Sequence, residues 1–243
     1  MLKIDILNIS IKSPTGENTL LKNIKFELEK NKIFTILGKN GTGKSTLIKS
    51  IMKLLDPNTY SIDGSILWNN KDINNLKYED IIEIRSRYIK YIFQDPVNSF
   101  DHLKRLGYYF KRFTVNENEI SDLLDYFFLP IKEKLFKMYP YEVSGGMAQR
   151  ISLVLALLTK PKILILDEPT SGIDSAIANL MLLKLKEFVK NDEQAVLLVT
   201  QDIMFAKKIS DKIALLQDFT LTEFMNTNEF FNKHLTELIT EGI

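Results

Sequence analysis

The chain has 243 residues, 45% of them apolar and 26% charged, with no cysteine. That composition supplies a packed core and excludes intrinsic disorder, a collagen-like repeat, a disulfide scaffold and thiol-built redox or zinc sites. Thirty-two Lys and Arg balance 31 Asp and Glu, and the longest apolar run, Leu153 to Leu158, is six residues, so neither a nucleic-acid field nor a membrane span of about 18 residues is expected. The first residues meet an acid at Asp5 and form no signal-peptide core, which leaves a soluble intracellular globule as the expectation.

Apolar and polar residues alternate through Ile4, Ile6 and Ile9, and again through Ile24, Phe26 and Leu28. With a turn at Pro14-Thr15-Gly16, this predicts an antiparallel strand pair. The run Ile33-Phe34-Thr35-Ile36-Leu37 predicts a buried parallel strand ending at Gly38. Helical spacing follows from Lys44 to Leu55 and stops at Asp56-Pro57. Gly64 to Trp68, with Asn69-Asn70 behind it, suggests a hairpin back to the antiparallel region. From Asp95 to Arg150 helical spacing dominates. Ile163-Leu164-Ile165-Leu166 and Ala195 to Val199 are further buried strands, and the helix expected from Ser175 to Lys190 joins them into a βαβ unit. A small amphipathic helix is expected from Thr227 onward.

Gly38-Lys39-Asn40-Gly41-Thr42-Gly43-Lys44-Ser45 fills the pattern G-x-x-x-x-G-K-[ST] between a strand and a helix. Backbone N–H groups of such a loop, with the helix N-terminus behind them, suit phosphate oxygens. Lys44 would reach the β- and γ-phosphates, and the Ser45 hydroxyl would ligate Mg²⁺. Gly38, Asn40, Gly41, Thr42, Gly43 and Thr46 complete the candidate ATP cradle. Asp167-Glu168 ends the strand at Ile163–Leu166, where open α/β sheets bind ligands. Asp167 would hold Mg²⁺ directly or through water, and Glu168 would polarise the attacking water.

Val143-Ser144-Gly145-Gly146-Met147-Ala148-Gln149-Arg150 resembles the signature motif of ATP-binding cassette (ABC) ATPases. Gln94, in Tyr91-Ile92-Phe93-Gln94-Asp95-Pro96, resembles their Q-loop, and Ser171-Gly172-Ile173-Asp174 their D-loop. The resemblance covers nearly the whole chain. It implies a P-loop NTPase fold of the α/β class: a RecA-like parallel core with an antiparallel β subdomain and an inserted helical subdomain. The expected division is an α/β core from residues 1–94 and 151–225, a helical region at 95–150 and a C-terminal helix at 226–243.

In that family cassettes act in head-to-tail pairs with two ATPs between them. The resemblance therefore assigns Ser144, Gly145, Gly146 and Met147 to the partner's ATP, and Asp174 to the D-loop. It assigns Gln94 to Mg²⁺ and the attacking water. The implied partners are a second cassette, expected to be a paralogue, two transmembrane permease subunits and, indirectly, an extracytoplasmic solute-binding protein; no nucleic acid is implied. The implied location is the cytoplasmic face of the membrane. Phe93-Gln94-Asp95-Pro96 and Tyr139-Pro140-Tyr141-Glu142-Val143-Ser144-Gly145-Gly146-Met147 resemble the peptide/nickel importer ATPases in particular. Asp101-His102 stands where that subgroup has Asn-Pro, and its usual C-terminal extension has no counterpart here.

Two further departures matter. The family's switch histidine follows the strand at Ala195–Val199, yet this chain reads Thr200-Gln201-Asp202. Gln201 donates from an amide but does not titrate, and losing one transition-state contact costs about 2.7–4 kcal/mol, or 10²–10³ in rate. A slow site of its own, within an asymmetric heterodimer, is the resulting expectation. The alternatives are adequate substitution by Gln201, a largely non-catalytic ATP-clamping subunit, or an ABC ATPase outside transport. The second departure is the absence of an aromatic residue between Met1 and Lys25, where the family stacks adenine; Ile11 or Pro14 would pack there with weaker stacking. Tyr108-Tyr109-Phe110 with Phe113 read as the core of a small helical subdomain, the alternative being a groove for a membrane-subunit helix; Tyr126-Phe127-Phe128 read as core. His102 and His234 read as surface residues.

Overall fold

The computed structural model describes residues 1–14, 16–112, 117–190 and 193–241. Thr15 and Phe113 lie outside them. Strands β1 (Leu2–Ser13) and β2 (Gly16–Leu28) pair antiparallel from Leu2↔Leu28 to Ser13↔Gly16. The alternation buries Ile4, Ile6, Ile24 and Leu28 on one face. β3 (Lys32–Leu37) leads through the glycine-rich loop into α1 (Lys44–Ile51).

Helix α1 ends a turn before Leu55. Lys53 takes φ 49°, its N–H bonds the Ser50 carbonyl, and the Leu54 N–H bonds that of Lys49. The Arg85 guanidinium donates to the carbonyls of Met52 and Lys53. A left-handed cap with its carbonyls satisfied overrides the apolar spacing. β4 (Tyr60–Trp68) and β5 (Lys71–Asp72) complete a sheet of order β2-β1-β4-β5. Asn69 and Asn70, at φ 48° and 65°, make the tight turn between them.

Helix α2 (Tyr78–Glu83) and a π-helical turn (Ile84–Tyr88) carry the chain to β6 (Ile89–Ile92). Then come α3 (Leu106–Phe110), α4 (Glu117–Tyr126), α5 (Lys132–Leu135) and α6 (Gly145–Leu158). α6 runs unbroken through residue 150. β7 (Ile163–Asp167), α7 (Ser175–Phe188) and β8 (Ala195–Thr200) follow as the expected βαβ unit. α8 (Ile203–Ile209), β9 (Lys212–Gln217), β10 (Thr220–Leu221), β11 (Met225–Asn226) and α9 (Thr227–Glu241) close the chain.

The second sheet has the order β10-β9-β3-β8-β7-β6, with β11 also on β9. Its neighbours from β9 to β6 run parallel. Side chains alternate across it: Leu164, Leu166, Val196 and Leu198 pack with α4, α6 and α7. Ile163, Ile165, Leu197 and Val199 pack with α1 and the antiparallel sheet. Two buried faces explain why these strands read as unbroken apolar runs. The adjacent strands β3, β8 and β7 deliver Gly38, Thr200 and Asp167 to one edge, which is where the site forms.

Three expectations about aromatic and histidine side chains need correction. Phe110 and Phe127 are core, but Tyr108 and Phe128 are exposed, and Phe128 takes φ 50° in the turn after α4. His234 is buried, stacked on Phe230 at 4.9 Å, because α9 lays its apolar face on β9. Among the described residues, no helix is long and apolar enough to cross a membrane.

Candidate nucleotide site

The glycine-rich loop is shaped by its neighbours. Gly43 takes φ 99° at the start of α1, and a Cβ there would lie 2.9 Å from Leu21 Cδ2. The position requires glycine both for its handedness and for the approach of β2. No side chain caps α1 among the described residues, so its first N–H groups remain available to phosphate oxygens. Asn40, Gly41, Gly43, Lys44, Ser45, Thr46, Gln94 and Glu168 line one cavity of about 340 Å³.

Lys44 is 5% exposed. Its ammonium donates to the carbonyls of Gly38 at 2.7 Å and Lys39 at 2.9 Å, and pairs with Glu168 Oε1 at 3.0 Å. A buried cation needs this saturation. Gly38 therefore contributes through its carbonyl and does not line the cavity.

Glu168 follows β7 in a left-handed conformation, φ 47°, and is 6% exposed. Its Oε2 accepts from the Thr200 hydroxyl at 3.1 Å and from the Gln201 backbone N–H at 3.2 Å. Thr200 Oγ1 in turn accepts the Asp202 N–H at 3.0 Å. The Gln201 side chain is exposed; residue 201 holds Glu168 through the main chain. Thr200 is a site residue that sequence reading passed over. Its partner lies 32 residues away, and only the parallel pairing of β7 with β8 brings them together.

Asp167 is 1% exposed. Its Oδ2 accepts from the Tyr91 hydroxyl at 2.9 Å, and among the described residues Oδ1 has no hydrogen-bond partner. Burial pushes the Asp167 carboxyl above the usual aspartate range, more than the Ser45 and Tyr91 hydroxyls bring it down. Burial, then the Asp167 charge, pushes the Tyr91 phenol well above its ordinary value, so it stays a donor. Ser45, Gln94, Tyr91 and Asp167 share a second cavity of about 430 Å³. An orphaned buried carboxylate oxygen beside a hydroxyl and an amide is a hard-oxygen donor set, and it fits Mg²⁺.

The remaining motif residues lie apart. Ser144 caps α6 by accepting the Met147 N–H at 3.2 Å, and Ser144 and Gly145 are exposed. A Cβ on Gly146 would meet Ile173 Cγ2 at 3.4 Å, so the signature turn rests on the D-loop of its own chain. Asp174 caps α7 by accepting the Ile177 N–H at 2.9 Å. None of these residues lines either cavity. Ile11 is half-buried and Pro14 exposed.

A glycine-rich loop between a parallel strand and a helix, a buried lysine and two consecutive carboxylates at the end of another strand of the same sheet define a P-loop nucleoside triphosphatase. The family model described as ABC transporter matches residues 21–171. The oligopeptide transport ATP-binding protein OppD of Escherichia coli K12 is 30% identical over 95% of this chain and 71% of its own length. The dipeptide transport ATP-binding protein DppD of Bacillus subtilis is 30% identical over 95% and 72%. The ATP-binding cassette MJ0796, in a dimeric post-hydrolysis state bound to ADP and Pi, has the same fold. Its TM-score is 0.80, with 24% identity over 93% of this chain and 99% of that one. The chain belongs to the ATP-binding subunits of ABC transporters, ATPases coupled to transport.

Proposed function

We propose that the chain hydrolyses Mg²⁺-ATP as one half of a head-to-tail cassette pair that drives uptake of a peptide, nickel or similar small solute. Two transmembrane permease subunits would hold it at the cytoplasmic face of the membrane, with a solute-binding protein outside. The carrying observation is the separation of the signature turn from the phosphate loop. Ser144 and Gly145 are exposed and open, while the cavity over Lys44 lacks them. A second cassette supplying its own signature turn completes the site. The peptide-transport names of the relatives support the solute class.

Within this reading each residue has a task. Lys44 exchanges the carbonyls of Gly38 and Lys39 for β- and γ-phosphate oxygens, which frees Glu168. Glu168, still held by Thr200 and the Gln201 N–H, accepts the proton of the attacking water. Ser45, Asp167 and Gln94 would hold Mg²⁺, which supplies charge neutralisation at the phosphates when bound. The exposed Gln201 side chain favours a second reading of the catalytic share: this chain's own site turns over slowly, and the partner's site, completed by Ser144-Gly145-Gly146, is the faster one.

Affinity purification of the chain from native membranes tests the proposal. Two integral membrane proteins and a second cassette should accompany it, with ATP hydrolysis dependent on them. Recovery with ribosomes or DNA, and no membrane protein, would overturn it.

A further inference from the structure

Tyr91 has no part in the reading above, yet its hydroxyl donates directly to the buried aspartate. β6 and β7 run parallel with Tyr91 opposite Ile165. Residues 165 and 167 share a face of the strand, so the phenol extends along the neighbouring strand to Asp167 Oδ2, at 2.9 Å. The ring is fixed on its other side by Phe93, with centroids 4.2 Å apart at 47°. Tyr91 also walls two spaces: the cavity with Ser45, Gln94 and Asp167, and a shallow groove with Phe100 and Leu155 behind it.

We propose that Tyr91 is a positioning residue for Asp167, engaging Oδ2 so that Oδ1 is the oxygen offered to the divalent cation. The inference rests on the reading of Asp167 as a cation ligand. A hydroxyl donating to a carboxylate makes a charge-assisted bond, and it fixes the rotation of a group whose other oxygen is buried and, among the described residues, makes no hydrogen bond. A carboxylate left to rotate would present either oxygen and lose part of the binding energy to ordering. Partners of this kind, one bond removed from the metal, contribute about 10–100-fold to affinity.

Tyr91→Phe keeps the ring and its packing and removes the hydroxyl alone. ATP affinity is measured by calorimetry with saturating Mn²⁺ and in EDTA, for wild type, Tyr91→Phe and Asp167→Asn; the ratio reads the cation's contribution. Tyr91→Phe should lower that ratio about tenfold, with the EDTA affinity unchanged, and Asp167→Asn should lower it at least as far. A wild-type ratio in Tyr91→Phe, with the ratio lost in Asp167→Asn, overturns the role of Tyr91 and leaves the cation reading intact. A wild-type ratio in both overturns the cation reading as well. An equal loss of affinity with Mn²⁺ and in EDTA assigns Tyr91 to packing and also overturns the proposal.

Discussion

Glu168→Gln should abolish ATP cleavage at this chain's phosphate loop, by about 10²–10⁴-fold, while leaving nucleotide bound. The amide keeps the shape of the side chain, and its oxygen still accepts from Thr200 and the Gln201 N–H. It has no basicity with which to take a proton from water. The substitution also removes the counter-ion of Lys44. Lys44 keeps two carbonyl partners at 2.7 and 2.9 Å, so the loop retains its form until phosphate replaces them. Rapid gel filtration with radiolabelled ATP provides the check: the variant should carry intact ATP through the column, where wild type carries ADP. Unchanged turnover would place the base elsewhere.

Gln201→His should accelerate hydrolysis by about 10²–10³-fold, the worth of one transition-state contact. The change does not disturb the anchor of Glu168, because residue 201 holds that carboxylate through its backbone N–H. What it adds is a side chain with a titratable ring at the mouth of the site. Turnover of the variant should therefore acquire a pH dependence near the ordinary imidazole range of about 6.5, which glutamine lacks. Stopped-flow phosphate release over a pH series reads both effects. Equal rates for wild type and variant would show that Gln201 suffices and that the site is not slow.

The parts of the site legible in the sequence are those whose chemistry is local. Gly38 to Ser45 declares itself because a phosphate cradle needs its glycines, lysine and hydroxyl in one loop. Ile163 to Glu168 does so because a strand buried on both faces is an apolar run, and the carboxylates follow it directly. What stays hidden depends on strand pairing. Tyr91 reaches Asp167 across 76 residues, and Thr200 reaches Glu168 across 32; neither separation has a sequence signature. β6 is four residues, Ile-Lys-Tyr-Ile, too short for its alternation to stand out from the turn before it. The overlong expectation for α1 has the same origin: Arg85, 33 residues on, satisfies the carbonyl at its end, and periodicity carries no record of that. Polarity alone places His234 on the surface, and it is the stacking on Phe230, one helical turn before it, that buries the ring.

The central claim is that the cavity over Lys44 is a triphosphate site. Titration of Mg²⁺-ATP into the wild-type chain and into Lys44→Ala measures it most directly. Wild type should bind one ATP per chain. Lys44→Ala should bind about tenfold to a hundredfold more weakly, the worth of the charge-assisted bonds removed. Equal affinity in the two proteins, or no binding by wild type, would contradict the account.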